Sequence, residues 1–258
     1  MRHLTPGLAL TADQQAMADQ GIKALVAVGR PLLDYALSSL ADAGIQEVCL
    51  VIGPEHDAII ERYRNTIHPT RLTITAAVQP EPRGTADAIL AAEPFAGQDE
   101  FLVVNSDNIY PVEALAALVS LGTPGLIGFD PAALIAESNI PSARIAQFAL
   151  IQTSPDSSLV EILEKPPAER RAPSAEGRVL RRVSMNAWRF GPKIFDACRL
   201  VTPSARGELE LQDAVTIAMA RFGERFRVVP FAGGVLDLSS RADIPAVTER
   251  LRGREVVL

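Results

Sequence analysis

The residues best suited to chemistry in this chain are acids, amides and a lysine set at the edges of short apolar runs. Asp107 follows the apolar run 101–105, with Asn108 beside it, and Asp237 lies in Val235-Leu236-Asp237-Leu238. One carboxylate at the end of a strand is ordinarily a turn or cap residue, but two that converge can hold a magnesium ion bridging phosphate oxygens. Separation along the chain does not say whether these two meet. Glu164-Lys165-Pro166 closes the run Leu159–Leu163. A lysine is a point charge suited to a phosphate and a glutamate accepts hydrogen bonds from sugar hydroxyls, although a surface ion pair before a turn has the same spelling. Gln79-Pro80-Glu81-Pro82-Arg83-Gly84-Thr85-Ala86 joins a strand pattern to a helix pattern. Glycine there lets the backbone approach a flat ligand, and the Gln79 amide can pair with the edge of a base. The plainer alternative is a proline-rich connection with Thr85 as a helix N-cap. Glu208 and Glu210 precede a helical run, where acids favour the helix dipole.

Around these residues β-branched runs alternate with helical periodicity, the pattern of strands crossing over through helices into a largely parallel sheet. The spacing predicts a helix over 31–43 closed by Gly44, then a strand Glu47–Ile52. A helix over 56–64, a strand over 72–77, a helix over 85–92 and a central strand over 101–105 follow. Beyond residue 125 the texture turns to α+β, with strands at Gly125–Phe129, 147–152, Leu159–Leu163 and 179–190, an exposed loop over 165–178 and a helix through Arg221. Asp107 then falls at the carboxyl end of a strand, where open α/β sheets collect ligands.

With 48% hydrophobic residues the chain can bury a full core, read as one domain over 1–258 with halves 1–125 and 126–258. Its 25 basic and 31 acidic residues give a formal charge of -6, which argues against broad nucleic-acid binding. Cys49 and Cys198 lack metal-site or disulfide spacing and read as buried thiols. No apolar run spans a bilayer and no secretory leader is apparent, so a cytoplasmic protein is expected. His3, His56 and His68 have no Ser or Cys partner by pattern, which excludes a nucleophilic triad.

Taken in order, these motifs resemble the sugar-1-phosphate nucleotidyltransferase family, which includes glucose-1-phosphate uridylyl- and thymidylyltransferases. The run from Lys23 to Leu33 is similar to its lysine motif, with Ile22 where proline is usual. Gln79 with Gly84-Thr85-Ala86 is similar to its base-binding segment, and Asn105-Ser106-Asp107-Asn108 to its metal-binding strand end, with Ser106 where glycine is usual. Glu164-Lys165-Pro166 resembles the motif that receives the sugar phosphate, and Arg206-Gly207-Glu208-Leu209-Glu210 with Gln212-Asp213 the stretch before a late helix. Leu236-Asp237-Leu238-Ser239-Ser240 resembles the second metal-binding motif, and residues 184–190 a sugar-facing strand in which Asn186 replaces a common glycine.

The resemblance implies an α/β fold, a Rossmann-like, mostly parallel sheet with helices on both faces, lacking its first strand and glycine-rich loop. Met1-Arg2-His3-Leu4-Thr5 is similar to the end of that loop motif, so strand and loop would lie immediately upstream, and their sheet neighbours would lack partners. It implies transfer of a nucleotidyl group from UTP or dTTP to a sugar 1-phosphate, impaired without the loop, with Mg2+ as cofactor. Lys23 and Lys165 would be catalytic, Asp107 and Asp237 would hold the metal, and Gln79, Gly84, Thr85, Asn108, Glu164 and Asn186 would bind substrate. Expected partners are a nucleoside triphosphate and a sugar 1-phosphate, not nucleic acid or membrane; a homo-oligomer is compatible with the sequence. The competing readings are a catalytically inactive nucleotide- or sugar-phosphate-binding protein and a nucleotide-sugar glycosyltransferase.

Overall fold

The computed structural model describes residues 10–20, 22–164 and 180–258; Lys165 and the expected loop 165–178 lie outside the described residues. Eleven strands are described: β1 Glu47–Ile52, β2 Thr73–Val78, β3 Phe101–Val103, β4 Asn108–Ile109, β5 Gly125–Phe129, β6 Leu150–Thr153, β7 Leu159–Leu163, β8 Leu180–Val183, β9 Trp188–Phe190, β10 Arg227–Phe231 and β11 Leu236–Asp237. They form three sheets. A seven-stranded sheet runs β3-β9-β5-β8-β6-β7, with β10 against β5; β1 and β2 form a parallel pair, and β4 and β11 an antiparallel one.

The expected α/β layering is present, but the parallel character is confined. Among the described residues only β1–β2 and β5–β10 pair in parallel, while β3–β9, β5–β8, β5–β9, β6–β7, β6–β8 and β4–β11 are antiparallel. Parallel neighbours need a crossover of a dozen or more residues. The helix-poor stretch after residue 125 leaves room instead for direct returns such as β6 to β7.

Helices cover both faces of the large sheet, and β5 shows how. Successive side chains of a strand point to opposite faces, so Leu126 enters one core with Trp188, Phe190, Phe195 and Ala214, while Ile127 and Phe129 enter another with Leu33, Leu37, Leu115 and Leu118. Each such fully buried side chain contributes about 1.5–3 kcal/mol. The helix Leu32–Asp42 runs between Pro31 and Ala43, and Gly44 follows at φ +93°, as its apolar stripe and terminal glycine predict. The expected helix over 56–64 is the α-helix Asp57–Glu61 continued by a π-helical stretch Arg62–Ile67, where Arg62 and Tyr63 both donate to the buried Asp34 carboxylate.

Two boundaries depart from the sequence pattern for backbone reasons. The single strand expected over 179–190 is two, β8 and β9, because Asn186 between them is left-handed at φ +57°. The helix Thr85–Ala91 is preceded by Gly84 at φ +127°, so Thr85 is its first residue and not its N-cap.

Among the described residues β1 pairs only with β2, and β3 only with β9. No described strand ties the small sheet to the large one. Val48, Cys49, Leu50 and Val51 of β1 and all of β3 are therefore only half-buried despite their apolar composition.

Candidate active site

Two clefts open where the strands end, and they share a wall. The first, of about 390 Å³, lies between the small sheet and the large one. The turn Gly53-Pro54-Glu55-His56 after β1 and Gln79, Pro80 and Pro82 after β2 form one lip; Asn105, Ser106 and Asp107 after β3 form the other, with Lys23 alongside. The second, of about 150 Å³, is bounded by Asn105, Asp107, Asn108, Phe148, Glu164, Asn186, Gln212, Asp237 and Ser239. Asn105 and Asp107 belong to both.

The two aspartates, 130 positions apart, are brought together by backbone pairing. In the β4–β11 ladder Asp237 sits opposite Asn108, and the Leu238 N–H donates to the Asp107 carbonyl at 2.9 Å. Residues directly opposite in an antiparallel pair have Cα atoms about 4.5–5.5 Å apart, so the register brings Asp237 beside the 107–108 segment, and both aspartates line the second cleft. Asp107 Oδ2 accepts from Lys23 Nζ at 2.8 Å. Lys23 occupies a single 3-10 turn in which Ile22 and Ala24 are buried, which leaves the lysine between them facing the cleft. Asp237 is almost fully buried; its Oδ1 accepts from Asn108 Nδ2 and Ser239 Oγ, each at 3.0 Å. Burial, reinforced by Asp107 and Asp243, raises the Asp237 pKa above the ordinary carboxylate value, and the Ser239 hydroxyl and Arg144 oppose that rise.

Asn108 has little freedom. Its Oδ1 accepts from Asn105 Nδ2 at 3.2 Å, which commits its nitrogen to Asp237. Tyr110, buried beneath, donates to the Met185 carbonyl at 2.6 Å and accepts from the Asn105 N–H at 3.3 Å. Behind Asp237, the Asn139 side chain acts as a one-residue strand, accepting from the Asp237 N–H and donating to its carbonyl, both at 2.8 Å. Sequence reasoning passed over Asn139, Tyr110 and Arg144, none of which stands in a periodic or motif-like setting.

On the opposite lip, Gln79 Nε2 donates to the Gly84 carbonyl at 3.0 Å and to Asp87 Oδ2 at 2.8 Å. Both partners are acceptors, so the amide orientation is forced and its Oε1 is left to accept. Gly84 and Thr85 do not line either cleft. The close approach that Gly84 permits is to protein backbone: Leu209 N–H donates to the Arg83 carbonyl and Ala86 N–H to the Leu209 carbonyl, at 2.7 and 2.9 Å. The Thr85 hydroxyl accepts from the Leu211 N–H at 2.9 Å, satisfying an orphan donor at the start of the helix Leu211–Phe222. Both residues thereby tie the Gln79 loop to the segment 209–211.

In the second cleft Asn186 is held by its left-handed backbone, a conformation that glycine and asparagine share. Its Oδ1 lies 3.4 Å from Gln212 Nε2. Glu164 lines the same cleft at the end of β7. Sequence reasoning also gave no part to His56, which lines the first cleft, or to Phe148, which lines the second. No helix among the described residues is long and apolar enough to cross a membrane.

A family model for nucleotidyl transferases matches residues 18–230. UTP–glucose-1-phosphate uridylyltransferase AglF of Haloferax volcanii is 29% identical over 87% of this chain and 85% of its own. Glucose-1-phosphate thymidylyltransferase of Streptomyces griseus is 30% identical over 75% of this chain, which spans half of that enzyme's length. The solved structure of a UTP-bound UGPase from Acinetobacter baumannii superposes with a TM-score of 0.70 at 18% identity, covering 91% of this chain and 87% of that one, a likeness of fold. A UDP-glucose pyrophosphorylase complexed with UDP-glucose gives 0.68 at 16% identity, over 90% and 91%. The match over residues 18–230, together with the nucleotide-diphospho-sugar transferase fold, makes this chain a member of the nucleotidyl transferase family.

Proposed function

We propose that the chain transfers a nucleotidyl group from UTP or dTTP to a sugar 1-phosphate, forming a nucleotide sugar and releasing pyrophosphate. The observation that carries this reading is the shared wall: Asp107 lines both clefts, so a nucleotide in the larger one and a sugar phosphate in the smaller one would meet beside it. A phosphate oxygen of the sugar 1-phosphate attacks the α-phosphorus, the bond to the pyrophosphate oxygen breaks, and the electron pair leaves with pyrophosphate. No protein nucleophile takes part. The residues contribute position and charge, which is where most of the rate of such displacements arises.

In this reading Lys23 neutralises nucleotide phosphates and Lys165 the sugar phosphate, with Glu164 and Asn186 receiving sugar hydroxyls. Asp107 and Asp237 suit Mg2+, which takes one or two carboxylates and completes its shell with substrate phosphates and water. Two features support the fit: both carboxylates line the second cleft, and Asp237 Oδ2 is buried with no hydrogen bond, only the charge of Arg144 facing it. When bound, the ion supplies charge neutralisation at the phosphate oxygens.

The free Oε1 of Gln79 favours a base presenting an imide N–H, as uracil and thymine do and cytosine does not. Gln79→Leu is expected to raise KM for UTP by about tenfold and to erase most of the discrimination against CTP, with kcat little changed. Steady-state kinetics with the two nucleotides measures this. The activity itself is tested by pyrophosphate release with UTP or dTTP and a panel of sugar 1-phosphates, using this chain and one extended upstream through a glycine-rich loop. Turnover removes the inactive-binder reading, and silence from both chains overturns the assignment.

A further inference from the structure

The wall that carries Asp237 also carries a cation for which the proposed reaction has no use. Arg144 stands on the one-turn helix Ser142–Ile145, and its Nη1 donates to both oxygens of Asp243 at 3.0 Å. Asp243 is itself fixed, accepting from the Ser240 N–H at 2.8 Å and the Ser240 hydroxyl at 2.9 Å. The guanidinium is thereby delivered to Asp237, with Nη2 3.0 Å from Oδ2. That approach is a charge contact and not a hydrogen bond: Arg144 Nη2 and Asp237 Oδ2 are both buried without a hydrogen-bonding partner. Asp107 likewise faces a cation, Lys23, here through a hydrogen bond of 2.8 Å. Three carboxylates, Asp107, Asp237 and Asp243, thus face two cations, leaving one net negative charge. No group of three or more potential metal ligands occurs among the described residues.

A divalent ion entering alone would meet two carboxylates that each already face a fixed positive charge, and a net charge of only minus one to attract it. A nucleotide triphosphate changes that balance, because its several negative charges offset Lys23 and Arg144 and supply the missing ligands. We propose that Arg144 makes divalent-ion binding conditional on the nucleotide: it screens Asp237, so the site admits the ion together with the triphosphate and discriminates against the ion alone. The proposal rests on the reading of Asp107 and Asp237 as the ion-binding pair.

The test is a Mn2+ titration followed by electron paramagnetic resonance, with and without a non-hydrolysable α,β-imido analogue of UTP. The wild-type chain is expected to bind Mn2+ weakly alone and at least about tenfold more tightly with the analogue. Arg144→Gln is expected to bind Mn2+ alone at least about tenfold more tightly than wild type, and Arg144→Lys to resemble wild type. Because Arg144→Gln strands Asp243, the double variant Arg144→Gln with Asp243→Asn is measured beside it, each checked by circular dichroism. Unchanged or weaker Mn2+ binding in both glutamine variants overturns the proposal and makes Arg144 a support for Asp237. Equal affinity of the wild type with and without the analogue overturns it as well. If Mn2+ binds no protein in either condition, or binds the Asp237→Asn variant unchanged, it is the ion-pair reading beneath the proposal that fails.

Discussion

Replacing Asp107 or Asp237 by asparagine lowers kcat/KM for nucleotidyl transfer by about 10²–10³-fold, and the Asp237 variant melts no earlier than the wild type. The loss of activity follows from the proposed ion site on their shared wall, where a neutral amide would hold the phosphate-neutralising cation less well. The stability result follows from burial. The folded chain holds the Asp237 proton more tightly than the unfolded chain does. Ionising Asp237 therefore costs stability that grows as pH rises from the unfolded value near ~3.9 to the folded one, and persists above it. Asparagine keeps the oxygen used by Asn108 and Ser239 and removes the buried charge. Calorimetry at neutral pH should give an equal or higher Tm; a fall of several degrees would mean that the Arg144 contact outweighs burial.

Gly84→Ala is the substitution with the largest expected effect on folding. At φ +127° and ψ 177° this glycine lies in a region closed to other residues. A Cβ there would sit 2.5 Å from the Leu209 nitrogen and nearer still to its carbonyl oxygen. Neither is the yielding end of a side chain. Relief requires breaking the Arg83–Leu209–Ala86 backbone ties, at about 2–4 kcal/mol, or roughly 5–15 °C in Tm for a chain of this size. Gln79 is anchored on the Gly84 carbonyl, so KM for the nucleotide should rise in the same variant. A melting temperature within a degree of wild type would show that the Leu209 clamp has no weight.

These two predictions draw on the sequence to different depths. Asp107 and Asp237 stood out through the order of the motifs, since one carboxylate at a strand end is ordinarily a turn or cap residue, and their convergence on one cleft needed coordinates. Gly84 was legible as a position requiring glycine, but not for the right reason, since its crowding neighbour lies 125 residues away. Thr85 misled for the same cause: a hydroxyl at a helix start reads as a local cap, while here it serves a distant helix. The expectation of a mostly parallel sheet came from strand patterns alternating with helical ones, a rhythm that does not show which strands lie side by side once they return. Asn186 left a usable trace, an asparagine where glycine is common, because both tolerate a left-handed backbone. Asn139 and Arg144 left none, since each acts on Asp237 or Asp243 across nearly a hundred residues.

The absence of a described strand between β1 and β3 has a mechanical side. The larger cleft takes one lip from each sheet. A molecule seated there spans a seam, and its own atoms become the stitch. The β1–β2 pair should then exchange its amide protons more slowly when UTP is added than when the cleft is empty. Hydrogen exchange would report substrate as the fastener of the fold it occupies.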